Sequence, residues 1–135
     1  MKRYLLAFSL LACCFCLNAQ TSKDTTKVYE QVESEASFPG GQNAWRIFLE
    51  KTLNPDNAQE AVPRRKKKFT ETVIIKFIVS KEGRLLDIAA ENKVHPAIEA
   101  EAVRVMKKSP LWIPAMQNGK PVNAYRRQPI TFSFY

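Results

Sequence analysis

Three cysteines, one histidine and 13 acidic residues are the side chains of this 135-residue chain best suited to chemistry, and their spacing rules most of it out. Cys13, Cys14 and Cys16 all fall in an apolar run from Tyr4 to Leu17. His95 stands alone directly before Pro96, the place of a side chain that caps or packs at a helix start. No second histidine is present, and no cysteine cluster near His95 in sequence completes a zinc set. Glu99 and Glu101 are two apart on a helix and do not share a face. Asp87 and Glu91 can share a strand face, where exposed carboxylates serve solubility. Lys81-Glu82-Gly83-Arg84 has one glycine, suited to a turn and not to a phosphate cradle. With no nucleophile–base pair, no ligand cluster and no phosphate loop, the sequence predicts no catalytic residue, no metal and no cofactor.

What remains is the chemistry of the backbone. The last residues, Pro129-Ile130-Thr131-Phe132 through Tyr135, alternate as a strand, and a strand that ends a sheet presents unpaired N–H and C=O groups. Pro129 lacks a ladder donor, which assigns the strand to an edge, at least locally. A plain edge, blunted against aggregation by Pro129 and Arg126-Arg127, is the alternative use of the same residues.

The elements that must position this edge follow from periodicity. Phe38-Pro39-Gly40-Gly41 is a turn that opens a helix over about 41–53, with Ala44, Ile47 and Phe48 as its stripe, widened by Trp45 and Leu49. Asn54-Pro55 ends it. Residues 54–69 read as a connection. Thr72 to Val79 is the clearest strand, with Val73, Ile75, Phe77 and Val79 on one face. A turn at Lys81-Glu82-Gly83-Arg84 leads to a second strand over about 85–91, where Leu86, Ile88 and Ala90 alternate against Leu85, Asp87 and Ala89. A second helix starts at Pro96, carries Ile98, Ala102, Val105 and Met106 as its stripe, and stops at Ser109-Pro110. Its Glu99 and Glu101 near the start and Lys107 and Lys108 near the end suit the helix dipole. Asn118-Gly119 is a turn, and the final strand runs from about Val122 to Tyr135. Trp45 and Trp112 are expected in the core. The fold class expected is α+β: a two-layer sandwich, a three-stranded antiparallel sheet covered by two helices in the order α-β-β-α-β.

The N-terminus reads as a targeting signal. Lys2 and Arg3 precede the apolar run, and Leu17-Asn18-Ala19 offers a cleavage site before Gln20. The run is short for a transmembrane helix, which needs roughly 20 apolar residues. Leu10-Leu11-Ala12-Cys13 loosely resembles a lipobox, which would instead lipidate Cys13. Cleavage before Gln20 leaves a cysteine-free chain with 19 basic and 13 acidic residues, a net charge of about +6. The expected organisation is a signal peptide at 1–19, a flexible lead-in at 20–37 and one domain at 38–135. Arg64 to Lys68 reads as a solvated loop, with docking of an acidic protein segment or an anionic polymer as the alternative use. Nucleic acid is a poor partner for an exported chain without aromatic–basic interleaving.

Several motifs, in this order, together resemble one family. They are Phe38-Pro39-Gly40-Gly41, Phe77-Ile78-Val79 with the Lys81-Glu82-Gly83 turn, His95-Pro96 with Glu101-Ala102-Val103-Arg104-Val105-Met106, Trp112-Ile113-Pro114, Asn118-Gly119-Lys120-Pro121-Val122 and Pro129-Ile130-Thr131-Phe132. Over residues 38–135 the chain resembles the C-terminal domain of TonB, the energy transducer of Gram-negative outer-membrane transport. The resemblance implies a non-enzymatic periplasmic module whose last strand, Asn123 to Tyr135, docks the TonB box of an outer-membrane transporter by strand addition. Partner-binding positions would be Tyr125, Arg126, Arg127, Gln128, Pro129, Ile130 and Thr131. The chain departs from the full transducer in having no convincing membrane anchor, no proline-rich spacer, and Asn54-Pro55 where relatives often carry Asn-Tyr-Pro. Binding is therefore expected, and force transmission is not. A self-associating dimer or cell-envelope adaptor using the same edge is the alternative. Membrane attachment is expected only through a lipidated Cys13 or an uncleaved N-terminus.

Overall fold

The computed structural model describes residues 27–135. The signal segment, the cleavage before Gln20 and Cys13 lie outside the described residues. The elements are β1 (Val28–Tyr29), α1 (Gly41–Thr52), a 3-10 helix (Pro55–Ala61), β2 (Phe69–Val79), β3 (Leu85–Ala90), α2 (Pro96–Lys107), β4 (Ala115–Gln117) and β5 (Lys120–Phe134).

The centre of the sheet is the long antiparallel pair β2–β5, whose register runs unbroken from Phe69 opposite Phe134 to Val79 opposite Ala124. Alternation along both strands sends Val73, Ile75, Phe77 and Val79, with Ile130, Phe132 and Phe134, to one buried face. That face packs against the helices. α2 contributes Ile98, Ala102 and Met106, while Trp45 of α1 joins Phe38, Phe48, Phe77 and Trp112 in a cluster with ring centroids 5.1 to 5.9 Å apart. Both tryptophans are buried, as expected. The opposite face of the sheet carries no helix among the described residues.

The α+β class holds, but the three-stranded antiparallel sheet and the α-β-β-α-β order do not. The sheet is mixed and has five strands, in the order β1-β5-β2-β3 with β4 paired to β5. β1 runs parallel to β5, with Val28 opposite Asn123 and Tyr29 opposite Ala124. Two residues of β1 and three of β4 are too short to show alternation. β4 is the first arm of the hairpin that Asn118-Gly119 closes, so the last strand starts at Lys120. The stretch 54–69, expected as a plain connection, contains the 3-10 helix. Asn54 caps it by accepting from the Asp56 N–H at 3.1 Å, and Ala58 and Ala61 are its buried residues.

β3 departs from simple alternation as well. Asp87 sits at φ 51° and the β2–β3 register shifts between Lys76 and Ile78, the mark of a bulge. Leu85, Ile88 and Ala90 therefore turn to the core, and Leu86 is left 49% exposed. In the turn before it, Gly83 adopts φ 85°, and a Cβ there would lie 2.2 Å from the carbonyl oxygen of Trp112. Only glycine meets both the turn and that close approach.

Two N-termini show how local chemistry starts the helices. His95 accepts from the Ala97 N–H through Nδ1 at 3.2 Å, the capping role expected of it. Glu101, expected merely to suit the helix dipole, is 2% exposed. It accepts from the Asn54 N–H and from Asn57 Nδ2, each at 2.7 Å, and from Arg104 Nε at 2.7 Å. Arg104 also donates to the Thr52 carbonyl at 2.7 Å, so one ion pair ties α2 to the end of α1 and to the 3-10 helix.

Candidate functional site: the outer edge of the last strand

Ile74 donates its N–H to Asn92 Oδ1 at 2.7 Å and accepts from the Glu91 N–H at 2.8 Å. Both of its backbone groups therefore face the β3 side. In an antiparallel pair the residue opposite must then point its own backbone away as well, so Pro129 faces outward from β2. The missing N–H of Pro129 costs the β2–β5 ladder nothing. The same alternation turns the backbone groups of Tyr125, Arg127, Thr131 and Ser133 outward, and those of Arg126, Gln128, Ile130 and Phe132 inward to β2.

Among the described residues, strands cover this outer edge only at its beginning. β4 pairs with Lys120 to Val122, and β1 with Asn123 and Ala124. Beyond Ala124 no strand among the described residues pairs with the edge. The segment after β1 continues along β4, with reciprocal backbone bonds between Ser34 and Met116 (2.8 and 3.2 Å) and between Ser37 and Ile113 (2.9 and 3.0 Å). Residues 28–37 thus strap the first part of the edge and set its open length to about 125–133.

The two sides of the edge differ. On the uncovered sheet face, Lys76 lies 4.1 Å from the Tyr125 ring centroid and 3.4 Å from Glu30. Arg127 Nε donates to both Glu91 oxygens at 2.8 and 2.9 Å, and its guanidinium lies 3.7 Å from Glu30. The Arg127 hydrogen bonds hold the Glu91 carboxyl below the ordinary carboxylate range, and Arg127 is raised in turn. On the helix side, Leu49, Glu50, Leu53, Pro55 and Thr131 line a shallow groove of about 310 Å³ beside the open edge.

The seven residues singled out from the sequence divide by this alternation. The side chains of Tyr125, Arg127, Pro129 and Thr131 lie on the uncovered face, and Thr131 Oγ1 bonds Thr72 Oγ1 at 2.9 Å. Gln128 and Ile130 are buried, at 8% and 1% exposure, and their side chains belong to the core. Arg126 turns to the helix side and pairs with Glu35 of the strap. The sequence reading missed Glu30, Glu35 and Glu91, whose partners are 36 to 97 positions away and leave no local pattern. It also missed Leu49 and Leu53 as groove walls, although their place at the end of the apolar stripe was visible.

The chemistry this edge offers is that of backbone pairing. The edge sets N–H and C=O groups in a row, charged and aromatic side chains on one flank, and an apolar groove on the other. Among the described residues no group of three or more His, Cys, Asp or Glu side chains could hold a metal ion. No curated protein and no solved structure matches the chain. The family model of the Gram-negative bacterial TonB protein C-terminal matches residues 57–134, from inside the 3-10 helix to the last residue of β5. The match covers more than half of the sequence, and the chain belongs to the TonB C-terminal family.

Proposed function

We propose that this chain is a non-enzymatic, exported binding domain of TonB-dependent transmembrane transport, and that it adds a strand from an outer-membrane transporter, the TonB box, to the outer edge of β5. The folded unit is the expected residues 38–135 together with the strap 28–37 that pairs with its sheet, behind a signal peptide at 1–19, and it works in the periplasm. The observation that carries this reading is the open edge at 125–133, lying within a family-matched strand and beside an apolar groove. Outward backbone groups of Tyr125, Arg127, Thr131 and Ser133 supply affinity, and the carbonyl of Pro129 adds an acceptor. Side chains of the incoming strand alternate, so every second one reaches the groove at Leu49, Leu53 and Pro55 while the others meet Tyr125 and Arg127.

The alternation gives the test. TonB-box peptides titrated into isotope-labelled protein are expected to shift the amides of Tyr125, Arg127, Thr131 and Ser133. Thr131→Pro removes an outward donor, leaves the β2–β5 ladder intact, and weakens binding by ~10-fold or more. Ile130→Pro removes an inward donor together with a buried side chain, and the domain unfolds. A folded Thr131→Pro variant with unchanged affinity, or no amide shifts at 125–133 in the parent, defeats the proposal. Sedimentation across the micromolar range separates it from the self-associating alternative, which requires a concentration-dependent dimer.

A further inference from the structure

Arg64, Arg65, Lys66, Lys67 and Lys68 are consecutive and exposed, and no ion pair joins any of them to an acidic residue among the described residues. Five other cations have ion-pair partners, Arg46 with Glu50, Lys76 with Glu30, Arg104 with Glu101, Arg126 with Glu35 and Arg127 with Glu91, and the remaining unpaired ones among the described residues lie singly or, at Lys107-Lys108, in a pair. Five adjacent unneutralised charges repel one another, and the fold holds them together without internal compensation. The loop that carries them begins at a turn, with the Lys66 N–H donating to the Pro63 carbonyl at 2.9 Å, and leads directly into β2. It therefore sits at the end of the sheet where Phe69 stands opposite Phe134, away from the end clamped by β1.

Aromatic rings flank the charges. Tyr135 is 90% exposed, with Lys68 Nζ 5.8 Å from its ring centroid, and Lys66 Nζ lies 6.0 Å from that of the half-buried Phe69. Between the loop and the end of β5, Val62, Lys66, Lys67, Phe134 and Tyr135 line a cleft of about 410 Å³. Cations on flexible stems beside an exposed amphipathic ring, at a cleft walled by Gln59 and Ser133 as well as Val62 and Phe134, match the layered chemistry of a bilayer interface. Phosphates meet ammonium and guanidinium groups there, and tyrosine rests at headgroup depth. A protein partner of stable affinity would need a packed apolar centre, which this loop lacks.

We propose that the 64–68 loop with Tyr135 is a docking surface for an anionic phospholipid bilayer. Contact there sets the open edge of β5 with its C-terminal end at the membrane and its strapped end away from it. This attachment is separate from any contribution of the N-terminal segment.

The experiment compares the full chain with a variant carrying Arg64→Gln, Arg65→Gln, Lys66→Gln, Lys67→Gln and Lys68→Gln. Both are sedimented with phosphatidylcholine vesicles containing or lacking phosphatidylglycerol, at low and high salt. Binding through the N-terminal segment is common to both chains and cancels. The phosphatidylglycerol-dependent part is expected to fall ~10-fold or more in the variant and to fall with salt in the parent. Tyr135→Ser is expected to lower it several-fold while near-ultraviolet circular dichroism stays unchanged. Equal phosphatidylglycerol dependence in parent and variant overturns the proposal. So does salt-insensitive binding by the parent, a reading that stands even if the variant misfolds. Tighter binding to soluble polyglutamate than to the vesicles overturns it too, by assigning the loop to an acidic polypeptide.

Discussion

Two glutamate–arginine pairs, one on each side of the sheet, sit in opposite surroundings. Under the helices, Glu101 and Arg104 have side chains 1% and 33% exposed. On the uncovered face, Glu91 and Arg127 are 39% and 45% exposed. Both carboxyls are held below the ordinary range, for different reasons. Burial alone would raise Glu101, and the hydrogen bonds from Arg104, the Asn54 N–H and Asn57 overcome it. Glu91 is lowered first by its hydrogen bonds from Arg127, with little burial to overcome. The same two residue types are a structural joint where water is excluded and a tunable surface where it is not. The buried pair bears on stability, and the exposed pair lies beside the edge proposed for docking.

The largest effect should follow from breaking the buried pair. Glu101→Ala leaves the Asn54 N–H, Asn57 and Arg104 without their shared acceptor, and is expected to cost about 3 kcal/mol in urea unfolding. Arg104→Ala should cost about 2 kcal/mol, because Glu101 keeps two of its donors. Replacing both by apolar residues of similar volume should recover part of the loss. If Glu101→Ala and Glu91→Ala unfold at the same urea concentration, the contrast between the two sides is wrong.

The acid branch of stability sharpens the contrast. A carboxyl whose folded pKa is depressed binds its proton more readily in the unfolded chain, so its contribution is present above the unfolded value, about 4.3, and fades as pH falls through the folded one. Stability should therefore decline below about pH 4.3 in the parent, and decline less steeply in Glu101→Gln. Glu101→Gln lowers the plateau at neutral pH, so the two curves converge in acid. Parallel curves would mean that Glu101 is not the group that titrates.

Much of this arrangement was legible in the sequence wherever periodicity extended over several turns or pleats. The β-branched run from Thr72 to Val79, the stripe Ile98, Ala102, Val105 and Met106, and the Pro129 edge all led to their observed places. What failed was short or long-range. β1 and β4 are shorter than one full alternation, and Asp87 in the left-handed region reset the phase of β3 with no glycine to mark it. Glu101 carried a signal that the dipole reading passed over. It falls on the apolar stripe between Ile98 and Val105, with Arg104 three residues on, so its carboxylate had to be buried and paired. The open edge could be read as an edge from Pro129. That β1 covers Asn123 and Ala124, the first residues of the expected docking strand, could not be read, because the contact spans some 95 positions.

The smallest stability effect belongs to the exposed pair and reports on function instead. Glu91→Gln removes one carboxylate from Arg127, but Arg127 still lies 3.7 Å from Glu30, and water solvates what Glu91 releases. No measurable change in the unfolding midpoint is expected, because exposed pairs gain little over their hydrated partners. The guanidinium is then less neutralised beside the outward backbone of the same residue. A docking peptide with an acidic side chain on that flank should bind a few-fold more tightly to Glu91→Gln than to the parent, and the gain should vanish at high salt. A peptide whose acidic residue is replaced by glutamine should show no gain. Equal gains for both peptides would detach Arg127 from recognition and leave the backbone edge and the Leu49–Leu53 groove to select the partner.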